Sequence, residues 1–297
     1  MDTATLSAFV AVAEYGSFSH AAEALFVTQP AISKRVATLE ESLHAPLFDR
    51  IGRQVRLTEA GQTLLPRARH ILAELRDSQQ AIANLAGRVG GTLSLGTSHH
   101  IGLHYLPPVL RRFVQSFPEV ALDLRFMDSE EVCRAVAHGD LEMGVVTLPP
   151  ATTPPLHHTP LWRDELCVVV SIDHPLAKAR SRPTLRQLAH YPAILPAHRT
   201  YTRDLIEQAF AARGVTLSAP LATNPLETIK MLVTVGLGWS VLPVTLLDRE
   251  LHVLKIPEIR LARQLGIVTH GRRTATRAAH EFRALVEHIV PPTLQRP

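Results

Sequence analysis

Cysteine is scarce in this chain: Cys133 and Cys167 stand alone and far apart among 297 residues. That usage excludes a disulfide framework and fits a reducing, cytoplasmic setting. No run of eighteen apolar residues occurs, so no membrane partner is expected. The opening MDTATLSAF has no basic stretch leading into an apolar one, which argues against a secretory signal. Catalytic patterns are missing as well. There is no nucleophile elbow, P-loop or zinc-protease motif, and Gly236-Leu237-Gly238 follows a predicted helix and precedes a strand, the reverse of the phosphate-binding order. No base and nucleophile pair can be identified, so an enzyme is not expected, and neither is a cofactor. His99, His100 and His104, and the pair His157–His158, have no carboxylate or cysteine beside them at fixed spacing, so no metal site is expected.

A surplus of positive charge is also missing where it would matter most. The net charge is +4, yet residues 1–88 hold nine Lys/Arg against nine Asp/Glu, and the surplus lies beyond, with twenty-two against eighteen. Any affinity of the N-terminal part for nucleic acid must therefore come from the placement of a few cations. The length suggests two or three domains, and 46% hydrophobic residues suffice for real cores.

What is present is organised around Ser17–Leu43, SFSHAAEALFVTQPAISKRVATLEESL. It reads as two short helices joined by a tight turn. Ala21, Ala22 and Ala24 permit close helix approach, Leu25 and Val27 floor the turn, and Ser19 and Thr28 are expected N-caps. Pro30 falls in the first turn of the second helix, where its missing N–H costs nothing. Ala31, Val36 and Leu39 should face inward, leaving Gln29, Ser33, Lys34 and Arg35 outside. An exposed helix start with an amide, a hydroxyl and two cations suits a DNA major groove. Upstream, Leu6, Phe9, Val10, Val12 and Ala13 supply a first helix with an apolar face. Downstream, Ala45–Arg50 and Ile51–Leu57 read as two strands around a Gly turn, with Arg50, Arg53 and Arg56 near the tip. Such a hairpin is a wing, able to grip phosphates or enter a minor groove.

With these residues in view, the run from Phe9 to Leu72 strongly resembles LysR-type transcriptional regulators, motif by motif over roughly the first seventy residues and in length and layout beyond. The resemblance implies a sequence-specific DNA-binding regulator with Thr28, Gln29, Pro30, Ser33, Lys34 and Arg35 at double-stranded DNA and Arg50, Arg53 and Arg56 on backbone or minor groove.

From Thr58 to about Ala86 the chain reads as one long helix. Leu64, Ala68, Ile71, Leu75, Ser78, Ile82 and Leu85 repeat at spacings of four and three, a heptad-like stripe that suits pairing. Pro66 interrupts it, and Gly87, Gly90 and Gly91 read as a hinge. The resemblance implies that this linker pairs protomers into a homodimer, that dimers associate into a tetramer, and that the promoter carries dyad-symmetric half-sites. RNA polymerase is a further candidate partner. The expected domains are 1–58 (winged helix-turn-helix, all-α apart from the wing), 59–87 (linker helix) and 91–297.

Beyond the hinge, strands and helices alternate, which argues for α/β layers. Strands are expected at Thr92–Gly96, Val120–Phe126, Met143–Val146, Leu166–Ser171, Gly238–Pro243 and Leu265–Thr269. Helices are expected from Tyr105 to Phe117, at Ser129–Ala137, near Thr184–Leu188, and at Thr202–Arg213, Leu226–Val235 and Ala275–Ile289. The resemblance implies a two-lobed, periplasmic-binding-protein-like effector domain, with lobe 1 at 91–161 and 266–297, lobe 2 at 162–265, and a cleft between them.

Open α/β sheets bind ligands at strand C-termini and helix N-termini, where free N–H groups favour anions. The loops that fit are Thr97–His100, Thr147, Thr200–Thr202 and Asn224 with Pro225. The expected effector-binding residues are therefore Ser98, His99, His100, Thr147, Thr200, Thr202 and Asn224, of which Ser98, Thr147, Thr200 and Asn224 match the family's inducer-contacting positions by resemblance. They suit a small-molecule effector carrying negative charge. Ser, Thr and Asn at helix starts can equally be plain N-caps. A solute-binding protein would share the second half, but the N-terminal module opposes it; a vestigial cleft with constitutive action is the remaining alternative.

Overall fold

The computed structural model describes residues 1–51, 54–84, 89–179 and 181–289. The chain divides into two compact units, one of residues 1–87 with 138–140 and one of residues 88–137 with 141–297.

The first unit opens with α1 (Thr3–Tyr15), capped by Asp2, whose side chain accepts from Thr5 N, and ended by Gly16 in the left-handed region (φ 59°). α2 (Phe18–Ala24) follows at once. Its cap is Ser17, whose hydroxyl accepts from His20 N, rather than the expected Ser19, because the helix starts two residues earlier than its apolar pattern suggests. The chain turns through Phe26, at φ 53°, into α3 (Gln29–Leu43). Ile32, Val36 and Leu39 are the buried face of α3, and Ala31 is only half-buried. Ile32, not Ala31, thus takes the first inward position, and four-three-residue spacing from Ile32 explains the face. These residues close on Leu6, Phe9 and Val12 of α1 and on Phe18, Ala21 and Ala22 of α2. Each large apolar side chain buried there contributes about 1.5–3 kcal/mol.

β1 (Phe48–Ile51) and β2 (Gln54–Leu57) pair antiparallel, Phe48 opposite Leu57 and Asp49 opposite Arg56. Glu40 fixes the hairpin's entry, its Oε1 accepting from Leu47 N at 2.7 Å and from Phe48 N at 3.3 Å. α4 (Glu59–Asn84) then runs with Pro66 inside it. Thr58 caps it, its Oγ1 accepting from Gly61 N at 3.1 Å. The apolar stripe divides. Leu64, Leu65, Ala68 and Leu72 pack on the helix-turn-helix core, where Arg69 also pairs with Glu14 of α1 at 3.0 Å, whereas Ile71, Leu75 and Ile82 stay exposed. Leu85 lies outside the described residues.

The second unit runs β3 (Gly91–Thr97), α5 (His99–His104), α6 (Pro107–Ser116), β4 (Val120–Phe126), α7 (Ser129–His138), β5 (Met143–Thr147) and β6 (Leu156–Ser171). It continues with α8 (Leu185–Leu188), β7 (Ile194–Leu195), α9 (Tyr201–Ala211), β8 (Leu221–Ala222), α10 (Leu226–Thr234), β9 (Ser240–Pro243), β10 (Leu251–Val253), β11 (Leu261–His270) and α11 (Arg277–His288). One mixed sheet has the order β10-β6-β11-β5-β3-β4, with β9 also on β6, and β7 pairs β8 separately. Two expectations change. His99 and His100 sit on a helix, α5, rather than in a loop, and the strand expected at Leu166–Ser171 is the end of a sixteen-residue strand.

β6 and β11 run antiparallel for most of their length, with a register shift between Leu265 and Gly266. Leu93, Leu95, Tyr105, Phe113, Trp162, Leu265 and Phe282 share one core; Leu166, Val168, Ile206, Phe210, Trp239 and Leu261 share another. The paired strands pass from one core to the other beside that shift, between Leu261 and Leu265 on β11 and between Trp162 and Leu166 on β6. Close approach of α7 to the sheet requires glycine: a Cβ on Gly144 would lie 2.3 Å from Val132 Cγ1, and one on Gly96 2.8 Å from the same atom. That approach carries Ser129 and Glu130, at the start of α7, to the ends of β3 and β5.

Candidate nucleic-acid interface and ligand cleft

The start of α3 presents its side chains outward. Thr28, Gln29, Pro30 and Lys34 are exposed, and Ser33 and Arg35 half-buried. Gln29 Nε2 donates to Ser33 Oγ at 2.9 Å, which couples the amide and the hydroxyl on one ridge. Thr28 makes no side-chain capping bond, so its hydroxyl is not spent on its own helix. Arg56 is exposed and stands opposite Asp49, next to the open end of the hairpin at the Phe48–Leu57 pair. The expectation that it lies near the tip is therefore corrected: the register puts it two pairs back from the turn. The Arg50 side chain and all of Arg53 lie outside the described residues.

In the second unit, all seven residues expected to face an effector line one cavity of about 60 Å³. Ser98 and His99–His100 come from the β3–α5 junction, Thr147 from the end of β5, Thr200 and Thr202 from the start of α9, and Asn224 from the loop before α10. Asp128, Ser129, Glu130 and Arg263 share the wall. Few of the polar groups are plain caps. Thr200 does cap α9, accepting from Arg203 N at 3.3 Å. Ser98 makes no such bond to α5, and Thr147 N donates to Ser129 Oγ at 3.0 Å. Asn224 Oδ1 accepts from Ala197 N at 2.9 Å while its Nδ2 donates to Asp128 Oδ2.

Buried charge sits behind this wall. Arg263 Nε donates to Asp164 Oδ2 at 2.8 Å and its Nη1 to Thr202 Oγ1 at 3.0 Å, and the Tyr105 hydroxyl donates to the other Asp164 oxygen at 2.8 Å. Burial beside Asp164 pushes the Tyr105 hydroxyl far above its ordinary pKa. Arg263 Nη2 is buried with no hydrogen-bond partner. A buried guanidinium whose third nitrogen is unpaired is an acceptor-seeking group, since a buried unmade bond of this kind costs about 1–3 kcal/mol. Burial also raises the carboxyl pKa values of Asp128, helped by nearby Glu131, and of Glu130.

Two family models cover nearly the whole chain: "Bacterial regulatory helix-turn-helix protein, lysR family" over residues 3–62 and "LysR substrate binding domain" over residues 86–289. The chain is a LysR-type transcriptional regulator. A "Probable RuBisCO transcriptional regulator" of Cyanidioschyzon merolae is 31% identical to it over 93% of this chain and 94% of that protein. An "Uncharacterized HTH-type transcriptional regulator in ibpB-leuC intergenic region" of Azotobacter vinelandii is 64% identical over 36% of this chain and 75% of its own length. The fold is that of the structure titled "Crystal structure of full-length CbnR complexed with the target DNA complex", at TM-score 0.66 and 23% identity, covering 96% of this chain and 99% of that one.

The regulator thus combines a helix-turn-helix DNA-binding domain with an effector-binding domain, and it is not an enzyme. Among its described residues no helix is long and apolar enough to cross a membrane. Sequence reasoning missed Arg263, Asp128, Ser129 and Glu130. Arg263 had a signal, a lone cation inside the alternating run Leu261-Ala262-Arg263-Gln264-Leu265, but the strand was expected to start only at Leu265. The argument against metal also fails in space: α10 brings Glu227 to His100 and His104, more than 120 residues away in sequence.

Proposed function

We propose that this regulator binds promoter DNA through Thr28, Gln29, Pro30, Ser33 and Lys34 in the major groove, with Arg35, Arg50, Arg53 and Arg56 holding backbone or minor groove, and that a small anionic effector in the cleft sets its activity. The effector reading is carried by one observation: residues from four separate segments converge on a cavity that Arg263 also lines, and the buried Nη2 of Arg263 has no hydrogen-bond partner. A carboxylate or similar oxyanion on Arg263 Nη2 and the hydroxyls of Ser98, Thr147 and Thr202 satisfies that wall. Asp128 and Glu130 face the same space, so the effector also carries a hydroxyl or ammonium donor for them. The domain limits 1–58, 59–87 and 91–297 belong to the same reading, and the β6–β11 register shift supports only the division of the lobes near 161/162 and 265/266.

Exposed Ile71, Leu75 and Ile82 on α4 support pairing of linker helices into a homodimer, hence dyad-symmetric half-sites. Association into a tetramer, an encounter with RNA polymerase and a cytoplasmic location belong to the same reading. The test is a thermal-shift screen of the full-length protein against small hydroxy-, keto- and amino-acids. Hits should stabilise the parent and fail to stabilise Thr147→Val or Thr202→Val. Stabilisation that survives both substitutions would place the effector elsewhere.

A further inference from the structure

The short helix α5 and the first turn of α10 bring three metal-ligating side chains together. His100 and His104 lie four residues apart on one face of α5, their rings 4.8 Å apart between centroids. Glu227 Oε1 stands 3.3 Å from His104 Nε2 and 3.5 Å from His100 Nδ1, and the three donor atoms lie within 4.8 Å of one another. A tetrahedral ion with bonds of about 2.0–2.1 Å to nitrogen and oxygen holds its donors about 3.4 Å apart, which is the spacing of the two histidine–glutamate pairs, and the two histidine nitrogens lie within 4.8 Å of each other. A second observation is independent of the cluster's spacing. His100 is 3% exposed, its Nδ1 is buried without a hydrogen-bond partner, and its Nε2 lies 3.1 Å from Thr245 Oγ1. One ring nitrogen held by an outer group and the other left bare toward a carboxylate is how a ligating histidine is oriented.

We propose that His100 Nδ1, His104 Nε2 and Glu227 Oε1 form a site for one borderline divalent transition-metal ion, Zn²⁺ foremost, with a fourth position left for water or a ligand group. Two neutral imidazoles and a carboxylate match that ion rather than Mg²⁺ or Ca²⁺, which take oxygen donors. Burial holds the His100 ring toward its neutral form, the form that ligates. The ion ties α5 to α10, and His100, itself a ligand, and Leu226, next to Glu227, both line the effector cavity. Occupancy therefore fastens the cleft in its closed form. The site rests on the geometry of α5 and α10 and not on the identity of the effector.

The test uses the full-length protein stripped with EDTA and titrated with CoCl₂, then with ZnCl₂ as competitor. The parent should show the ligand-field band of four-coordinate Co²⁺ at one ion per chain, lost on adding Zn²⁺, and Zn²⁺ should raise its melting temperature. His104→Ala and Glu227→Gln, both at partly exposed positions, should keep the metal-free melting temperature and lose the band. Thr245→Val should weaken Zn²⁺ binding by about 10–100-fold, while His157→Ala, at a remote exposed histidine, should bind like the parent. Absence of one-to-one binding in the parent, or a band undiminished in His104→Ala, would overturn the proposal; ordinary histidine–glutamate hydrogen bonds alone predict the first of these.

Discussion

Glu130 Oε1 accepts a hydrogen bond from the backbone N–H of Tyr201 at 2.5 Å, so the negative charge at the start of α9 is supplied by α7 of the same chain. Beside it, Asn224 bridges Ala197 N and Asp128. The helix N-terminus beside the cavity is thus already engaged by these groups.

Asn224 is the simplest probe of closure. Asn224→Leu removes both bonds and leaves Asp128 without its amide donor, which should destabilise the effector domain by about 1–3 kcal/mol. Urea unfolding of parent and variant measures this; equal midpoints and slopes would show that the bridge contributes nothing to the fold.

Glu130 gives a pH dependence of known sign. Burial raises its native pKa above the ordinary 4.5, so between the two values the native state holds a proton that the unfolded chain has released. Its contribution to stability therefore grows as pH falls through that window and is withdrawn as pH rises. Glu130→Gln, which keeps an acceptor for Tyr201 N–H without the charge, should melt higher than the parent near neutrality, and the gap should shrink toward the ordinary carboxylate range. A gap that widens on acidification would contradict the assignment.

Lys34 is exposed at the start of α3, so Lys34→Ala should leave the melting temperature unchanged while weakening specific promoter binding by about 1–3 kcal/mol. Fluorescence anisotropy with specific and scrambled duplexes separates this from a general loss of charge. Undiminished specific binding would move α3 out of the groove.

On the linker, Ile82 is 70% exposed in the single chain. Ile82→Glu should shift the full-length protein from dimer toward monomer in sedimentation equilibrium with little effect on the core of its DNA-binding domain. A dimer of unchanged strength would place the pairing surface elsewhere.

Cys133 is buried and its thiol is pushed up to about 11, mainly by burial, so it should react with a thiol reagent only on unfolding. Rapid modification of the native protein at Cys133 would contradict that environment.

The helix-turn-helix was legible because its signals are local: an apolar period, Pro30 in a first turn and Thr58 before a long helix. The errors are local too. Ser17 and Ser19 are both good caps, and the choice falls on Ser17 because Phe18 turns into the core. Ile32 and Ala31 are adjacent apolar residues, and only packing against α1 and α2 selects the larger. The helix α5 escaped notice because six residues cannot display a period. The first half of β6, with His157, His158 and Pro160, lacks the apolar alternation of its second half and is held by pairing with β11. Cleft residues at strand and helix ends were readable from sheet geometry. Arg263 and Glu227 were not, since their roles depend on partners about a hundred residues away.

The central claim, that occupancy of the cleft governs how the reading helices sit on DNA, is tested most directly by DNase I footprinting of the promoter with the full-length regulator. The account predicts that a ligand which stabilises the parent but not Thr202→Val changes the protected and hypersensitive positions more than the overall affinity. A footprint identical with and without that ligand at saturation would contradict it.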